Sequence, residues 1–121
     1  MLIEELVAEL GLKILASGEL RRKVTGGYAS DLLSCAMAKA KEGNVWVTLQ
    51  AHQNVIAVAS LLNLAAIIVT EGIEPDHDTI VRAQENGVVV LGSTETTFVV
   101  AGRLYGAGIR GAQGDVALPA G

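Results

Sequence analysis

From Asn44 onward the chain repeats one pattern three times: a short continuous apolar run, then a stretch with helical spacing of apolar residues. The runs are Val45–Leu49, Ala65–Val69 and Val88–Leu91, and the helical stretches are Asn54–Leu62, Asp76–Asn86 and Thr96–Tyr105. Three strand-then-helix units in succession predict a parallel sheet with crossover helices, because parallel neighbours cannot be joined by a tight turn. The runs do not alternate with polar residues, so these strands are expected to be covered on both faces. Asn63 and the Asn86-Gly87 pair fall where the helices should end, which supports the phasing. The expected architecture is a compact three-layer α/β domain with a mostly parallel sheet.

Upstream, Leu2, Ile3, Leu6, Val7 and Leu10 have helical spacing and Gly11 supplies a stop, predicting a short amphipathic helix, with a short strand expected over Leu12–Leu15. Val24–Ala29 combines β-formers with Gly26 and Gly27, whose lack of side chains admits another segment or a ligand close to the backbone. Ser30-Asp31 is placed to cap a helix carrying Leu32, Leu33, Met37 and Ala40 and stopping at Gly43. Arg110–Gly121 has three glycines, a proline and no periodicity, which reads as a flexible tail.

Length and charge exclude several classes. A chain of 121 residues, half of them hydrophobic, suffices for one core and not for two ordinary domains. Nine basic residues against thirteen acidic ones, with only Arg21–Lys23 clustered, make nucleic acid an unexpected partner. The N-terminus carries acids where a secretory signal would be basic, so no export is expected. The most apolar stretch, Val55–Val69, is shorter than the ~20 residues that span a bilayer and contains Ser60 and Asn63, so no membrane association is expected. The lone cysteine, Cys35, reads as a core thiol, and the chain as cytoplasmic.

Ligands of open parallel sheets bind beyond the carboxyl ends of the strands, where loops diverge and helix N-termini point free N–H groups outward. The three loops there offer Gln50, His52, Gln53 and Asn54; Thr70, Glu71 and Gly72; and Gly92, Ser93, Thr94, Glu95, Thr96 and Thr97, of which Ser93, Thr94 and Thr97 are taken as ligand contacts. With Gly26 and Gly27 these form the candidate ligand-binding set. They are mostly neutral hydrogen-bonding groups, without a nucleophile–base pair or a metal constellation, and suit a small polar ligand held without being transformed. His52 is weighed as base or ligand and read as a contact or structural group, because no second histidine or cysteine lies at ligand spacing. The acids of Glu71–Asp78 read as helix N-terminus chemistry beside Pro75, not as a metal loop. No catalytic residue, metal or cofactor is assigned.

Val24–Ser34, with its Thr-Gly-Gly-Tyr-Ala-Ser-Asp string, resembles the stand-alone DRTGG domain proteins of anaerobic bacteria. So do Lys41–Asn54, containing Thr-Leu-Gln-Ala-His-Gln-Asn, and the later Glu74-Pro75-Asp76, Thr97-Phe98 and Ala101–Leu104. The resemblance runs from about Leu2 to Gly111, so the domain is expected over 1–111 and the tail over 112–121. It implies a fold like the N-terminal domain of HPr kinase/phosphorylase, which lacks that enzyme's phosphate loop. This chain has no Gly-Lys-Ser/Thr ending either, so nucleotide hydrolysis or a kinase activity has no machinery in it. Related domains occur between CBS domains in regulated pyrophosphatases and in phosphotransacetylases. Stand-alone relatives are often encoded beside iron hydrogenase or electron-transfer genes, which implies a link to hydrogenase or energy metabolism and redox or hydrogenase proteins as partners. In Arg21–Gly27 a basic residue stands where the family's name has an acid.

The expected function is therefore a non-catalytic regulatory module binding a small nucleotide or metabolite. Half the residues are hydrophobic and fewer than a fifth charged, so apolar surface should be left over for a homodimer contact, expected to use Val24–Ala29. The alternatives are an assembly module without ligand and, third, an enzyme of phosphotransfer type.

Overall fold

The structure, a computed structural model, describes residues 1–112. In chain order the elements are α1 (Ile3–Leu10), β1 (Lys13–Ala16), β2 (Gly26–Ala29), α2 (Leu33–Lys39), β3 (Asn44–Thr48), α3 (Gln53–Leu62), β4 (Ala66–Val69), α4 (His77–Glu85), β5 (Val90–Gly92) and α5 (Thr97–Gly106). The five strands form one sheet in the order β1-β5-β4-β3-β2. Neighbours from β2 to β5 are parallel, as the strand–helix repeat predicts, and β1 adds to β5 antiparallel.

Alternate residues of the buried strands serve two cores. Val45, Val47, Ala66, Ile68, Val89 and Leu91 face one side and pack with Ile3, Leu6 and Leu10 of α1 and Val100 and Leu104 of α5. Trp46, Ile67, Val69 and Val90 face the other, against Ala36, Val55, Ile56, Ala59 and Ala83 of α2, α3 and α4. Both faces are thus covered, which explains the uninterrupted apolar runs and gives the three expected layers. No helix among the described residues is long and apolar enough to cross a membrane.

The termini of α1 and α3 follow their signals: Gly11 and Asn63 close these helices with left-handed φ values of 64° and 55°. The segment after β2 departs from expectation. Helix α2 starts at Leu33 behind Leu32, without a side-chain cap, and ends at Lys39, four residues before Gly43. Asp31 is withdrawn from capping because both its bonds go to the end of β3. Leu32 and Met37, read as apolar-face residues, are exposed, and Cys35 is only partly buried.

Gly26 and Gly27 sit at the start of β2, and the segment that passes them belongs to the chain itself. The Gly27 amide donates to Arg110 O at 2.8 Å and Gly27 pairs with Gly111. A Cβ on Gly26 would lie 3.2 Å from the carbonyl oxygens of both Arg110 and Gly111. Arg110 and Gly111, read as the start of a flexible tail, therefore finish the sheet edge; the rest of the expected tail, beyond Ala112, lies outside the described residues.

Candidate functional site

The parallel strands deliver their loops to one edge of the sheet, and helices α3, α4 and α5 start there. Each helix is capped by a side chain: His52 Nδ1 accepts from the Asn54 amide at 3.1 Å, Asp76 Oδ1 from Thr79 at 2.8 Å, and Thr96 Oγ1 from Val99 at 3.3 Å. His52 thus has a structural task, in keeping with the reading that set contact or structure above catalysis. The Thr79 amide holds the Asp76 carboxyl below the usual carboxylate range, helped by His52 and His77 nearby. The Thr79 hydroxyl favours the same charge by proximity, yet it is buried and makes no hydrogen bond of ordinary geometry among the described residues.

The loops after β4 and β5 are tied together. The Glu71 amide donates to Glu95 O at 2.8 Å and the Gly72 amide to Ser93 O at 2.9 Å. Both residues have left-handed backbones, φ 61° at Glu71 and 70° at Gly72, a double turn that favours glycine and is strained at Glu71. Between the loops the hydroxyls of Thr70 and Thr97 meet at 2.6 Å, and the Thr97 amide donates to Glu71 Oε2 at 3.4 Å. Within the hydroxyl-rich run, Ser93 Oγ accepts from the Glu95 amide and Glu95 pairs with Arg103 at 2.9 Å. Capping and cross-loop bonds thus use most of what the sequence presented as free donors and acceptors; no side-chain bond joins Thr94 to the other described residues.

Ser93, Thr94 and Gly72 line a cleft of about 270 Å³ at the β5 end of this rim. Gly92 and Glu95 of the same loop join them, and the other walls come from residues outside the expected rim: Leu10 and Gly11 at the end of α1, Lys13 and Leu15 of β1, then Ile73, Glu74 and Arg103. Antiparallel β1 explains this, since Lys13 pairs with Gly92 and so begins where β5 ends. Arg103 reaches across to accepting carbonyls at the end of α1, Leu10 O at 3.3 Å and Glu9 O at 3.2 Å, where a cation suits the helix dipole. The cleft thus holds both signs of charge, two hydroxyls and three aliphatic side chains.

The remaining expected site residues are not gathered there. Gln50, His52, Gln53 and Asn54 occupy the β3 end of the rim, where Gln50 and His52 border only a void of about 10 Å³ and Gln53 Oε1 accepts from Arg82 at 3.4 Å. Thr70 and Thr97 lie between the two ends. Gly26 and Gly27 are at the opposite edge of the sheet, pairing with Asn44 and Val45 at the start of β3. Asp31, expected as a helix cap, is at the rim: its Oδ1 accepts from Thr48 Oγ1 at 2.9 Å and from the Leu49 amide at 2.8 Å. The parallel pairing of β2 and β3, which puts the ends of both strands at one edge, is the signal that would have placed it.

The family model of the DRTGG domain matches residues 5–107. No curated protein shows a significant match to the chain. A crystal structure of the CBS and DRTGG domains of the regulatory region of Clostridium perfringens pyrophosphatase, complexed with its activator diadenosine tetraphosphate, shares the fold. It superposes with a TM-score of 0.71 at 17% sequence identity, over 84% of this chain and 45% of that one. The chain therefore spans less than half the length of the structure it resembles.

Proposed function

The chain belongs to the DRTGG domain family, and on that premise we propose that it is a cytoplasmic regulatory module, a homodimer that binds a small nucleotide or metabolite without transforming it. The observation that carries this reading is the cleft at the β5 end of the rim. It is large enough for a small ligand and offers hydroxyls on Ser93 and Thr94, cations on Lys13 and Arg103, and aliphatic walls from Leu10, Leu15 and Ile73. A few polar groups converging on an apolar floor is the usual make-up of a ligand site. That the regulatory region of the pyrophosphatase binds a dinucleotide activator supports a nucleotide as the first class to test. At the cleft Ser93 Oγ is spent on the Glu95 amide and the Glu95 carboxylate on Arg103, which supports holding over catalysis. Of the ligand set expected from sequence, Gly72, Ser93 and Thr94 are the contacts proposed at this cleft, with Thr70, Glu71 and Thr97 as the supports behind them. Redox or hydrogenase proteins are the partners to which such a module would report.

The test is a thermal shift series with AMP, ATP and diadenosine tetraphosphate. A ligand at one hundred times its Kd stabilises the folded state by about 2.7 kcal/mol. Lys13→Met and Thr94→Val should each weaken binding by about tenfold, the ~1.4 kcal/mol of one charge-assisted or well-placed hydrogen bond. No shift with any of the three probes, or a shift that both variants leave intact, would refute the cleft as a nucleotide site. Release of phosphate or a phosphorylated product that follows the protein through repurification would refute the non-catalytic reading.

A further inference from the structure

Helix α5 has one face in the core and, among the described residues, an exposed apolar face outside. At 100° per residue, Val100 and Leu104 point inward, while Phe98, Gly102, Tyr105 and Gly106 fall on the opposite side. Phe98 is 87% exposed and Tyr105 57%. Among the described residues a Cβ on Gly102 or Gly106 would meet nothing within 4 Å, so no contact there calls for glycine at either position, although glycine weakens a helix interior. Within α5 itself no charged residue lies on this face; Arg110, just beyond the helix, stacks on Tyr105. Beside its C-terminal half is a groove of about 140 Å³, lined by Gly27, Tyr28, Ala101, Leu104, Tyr105 and Ile109 among others.

Resting on the homodimer reading above, we infer that this face is the dimer contact, with two copies of α5 crossing antiparallel at Gly102 and Phe98 of each copy seated in the groove of the other. Knob and hole lie on one helix about 10 Å apart, the rise of seven residues, on either side of Gly102. A two-fold axis through Gly102 therefore brings each knob to the partner's hole, as a self-complementary interface requires. The groove is of the size that takes one aromatic ring, since an apolar cavity of about 150 Å³ holds benzene. Without a side chain at Gly102, the backbones can approach more closely than the usual 8–10 Å between helix axes.

Charge agrees with the same arrangement. Glu71 stands at the N-terminus of α5, where its carboxylate accepts from the Thr97 amide. Arg110 stands at the C-terminus, bonded to Tyr105 O and stacked 4.1 Å over the Tyr105 ring. In an antiparallel pair the acidic end of each helix faces the basic end of the other, twice. An unrelated partner would need only a hole or only a knob; a second copy uses both. Two aromatic side chains bury roughly 150–250 Å² each, so Phe98 and Tyr105 supply about half of the ~800 Å² per partner of a stable complex, and the residues flanking α5 must supply the rest.

The experiment is sedimentation equilibrium of the full chain at 10 µM-scale concentrations, with circular dichroism as a check on folding. Wild type should run at twice the 12.5 kDa of one chain, and Phe98→Asp and Gly102→Leu each at 12.5 kDa with unchanged helix content. Both changes are made in open space, so the fold should survive them. Charge reversal of Glu71→Arg or Arg110→Glu alone should weaken the dimer several-fold at low salt, and the two together should restore it. A wild-type dimer that persists in both Phe98→Asp and Gly102→Leu overturns this interface and leaves the homodimer reading standing. A wild type that runs at 12.5 kDa overturns both.

Discussion

The bond between Thr70 and Thr97 gives the clearest measurable link between local geometry and the rim. Thr70 is fully buried, and besides Thr97 at 2.6 Å its hydroxyl has only the Thr48 carbonyl oxygen at 3.5 Å, the outer limit of a hydrogen bond. Thr97→Val keeps the shape and leaves that hydroxyl nearly unpaired, which should cost about 1–2 kcal/mol. Thr70→Val leaves behind only the Thr97 hydroxyl, which is partly exposed and can turn to water, so about 0.5–1 kcal/mol is expected. With both replaced, two methyls meet where two hydroxyls did and nothing is orphaned. The double variant should then be more stable than the sum of the single losses by about 1 kcal/mol. Urea unfolding at one fixed protein concentration reads all four corners of the cycle, and a loss of 1 kcal/mol should lower Tm by about 4 °C for a domain of this size. Additive losses, or Thr70→Val costing more than Thr97→Val, would refute the claim that this hydroxyl pair joins β4 to α5.

Gly43 has φ 80°, and a Cβ there would lie 2.6 Å from Thr25 Cγ2 and 2.8 Å from Thr25 Oγ1. Thr25 Oγ1 donates to Glu42 O and accepts from Asn44. Gly43→Ala should therefore lose about 3 kcal/mol, from left-handed strain and displaced hydrogen bonds, and chemical denaturation showing less than 1 kcal/mol would contradict it. At Asp76, a carboxyl held below its ordinary value stabilises the fold above that value, and the contribution disappears as pH falls through the lowered folded value. Asp76→Asn retains a capping oxygen, so the advantage of wild type should be constant near neutrality and vanish in acid; a gap that widens on acidification would reverse the sign.

Signals that act within one element were legible in the sequence. The uninterrupted apolar runs of β3 and β4 and the stops at Gly11 and Asn63 depend on neighbours in the chain, and they placed the parallel core and the edge where its loops gather. What escaped depends on distant segments. The four residues of β1 carry no mark of direction, yet its antiparallel attachment brings Lys13 to the end of β5 and creates the cleft. Arg103 binds carbonyls 93 and 94 residues away, a pairing that no spacing rule reaches. Asp31 looked like a helix cap because a cap signature is local, whereas its two bonds run to the end of β3. The glycines of β2 did announce a close approach, and only the fold shows that the approaching strand is residues 109–111.

Helix α5 joins the rim to the outer face by physical contact. Its first residue bonds to Thr70 inside the rim, its second is the exposed Phe98, and its Arg103 both borders the cleft and holds the end of α1. A ligand that engages Arg103 or draws on Glu95 must alter the bonds that set the position of this helix. If the same helix forms the dimer seam, ligand and second copy act on one rigid element, and each must change the affinity of the other by an equal factor. A coupling of 1–3 kcal/mol, about 5–150-fold, is typical of such linkage. Ligand affinity measured above and below the dissociation concentration of the dimer should then differ by that factor, in the same direction as the ligand shifts the dimer. Equal affinities on the two sides would mean that α5 holds the cleft and the seam independently.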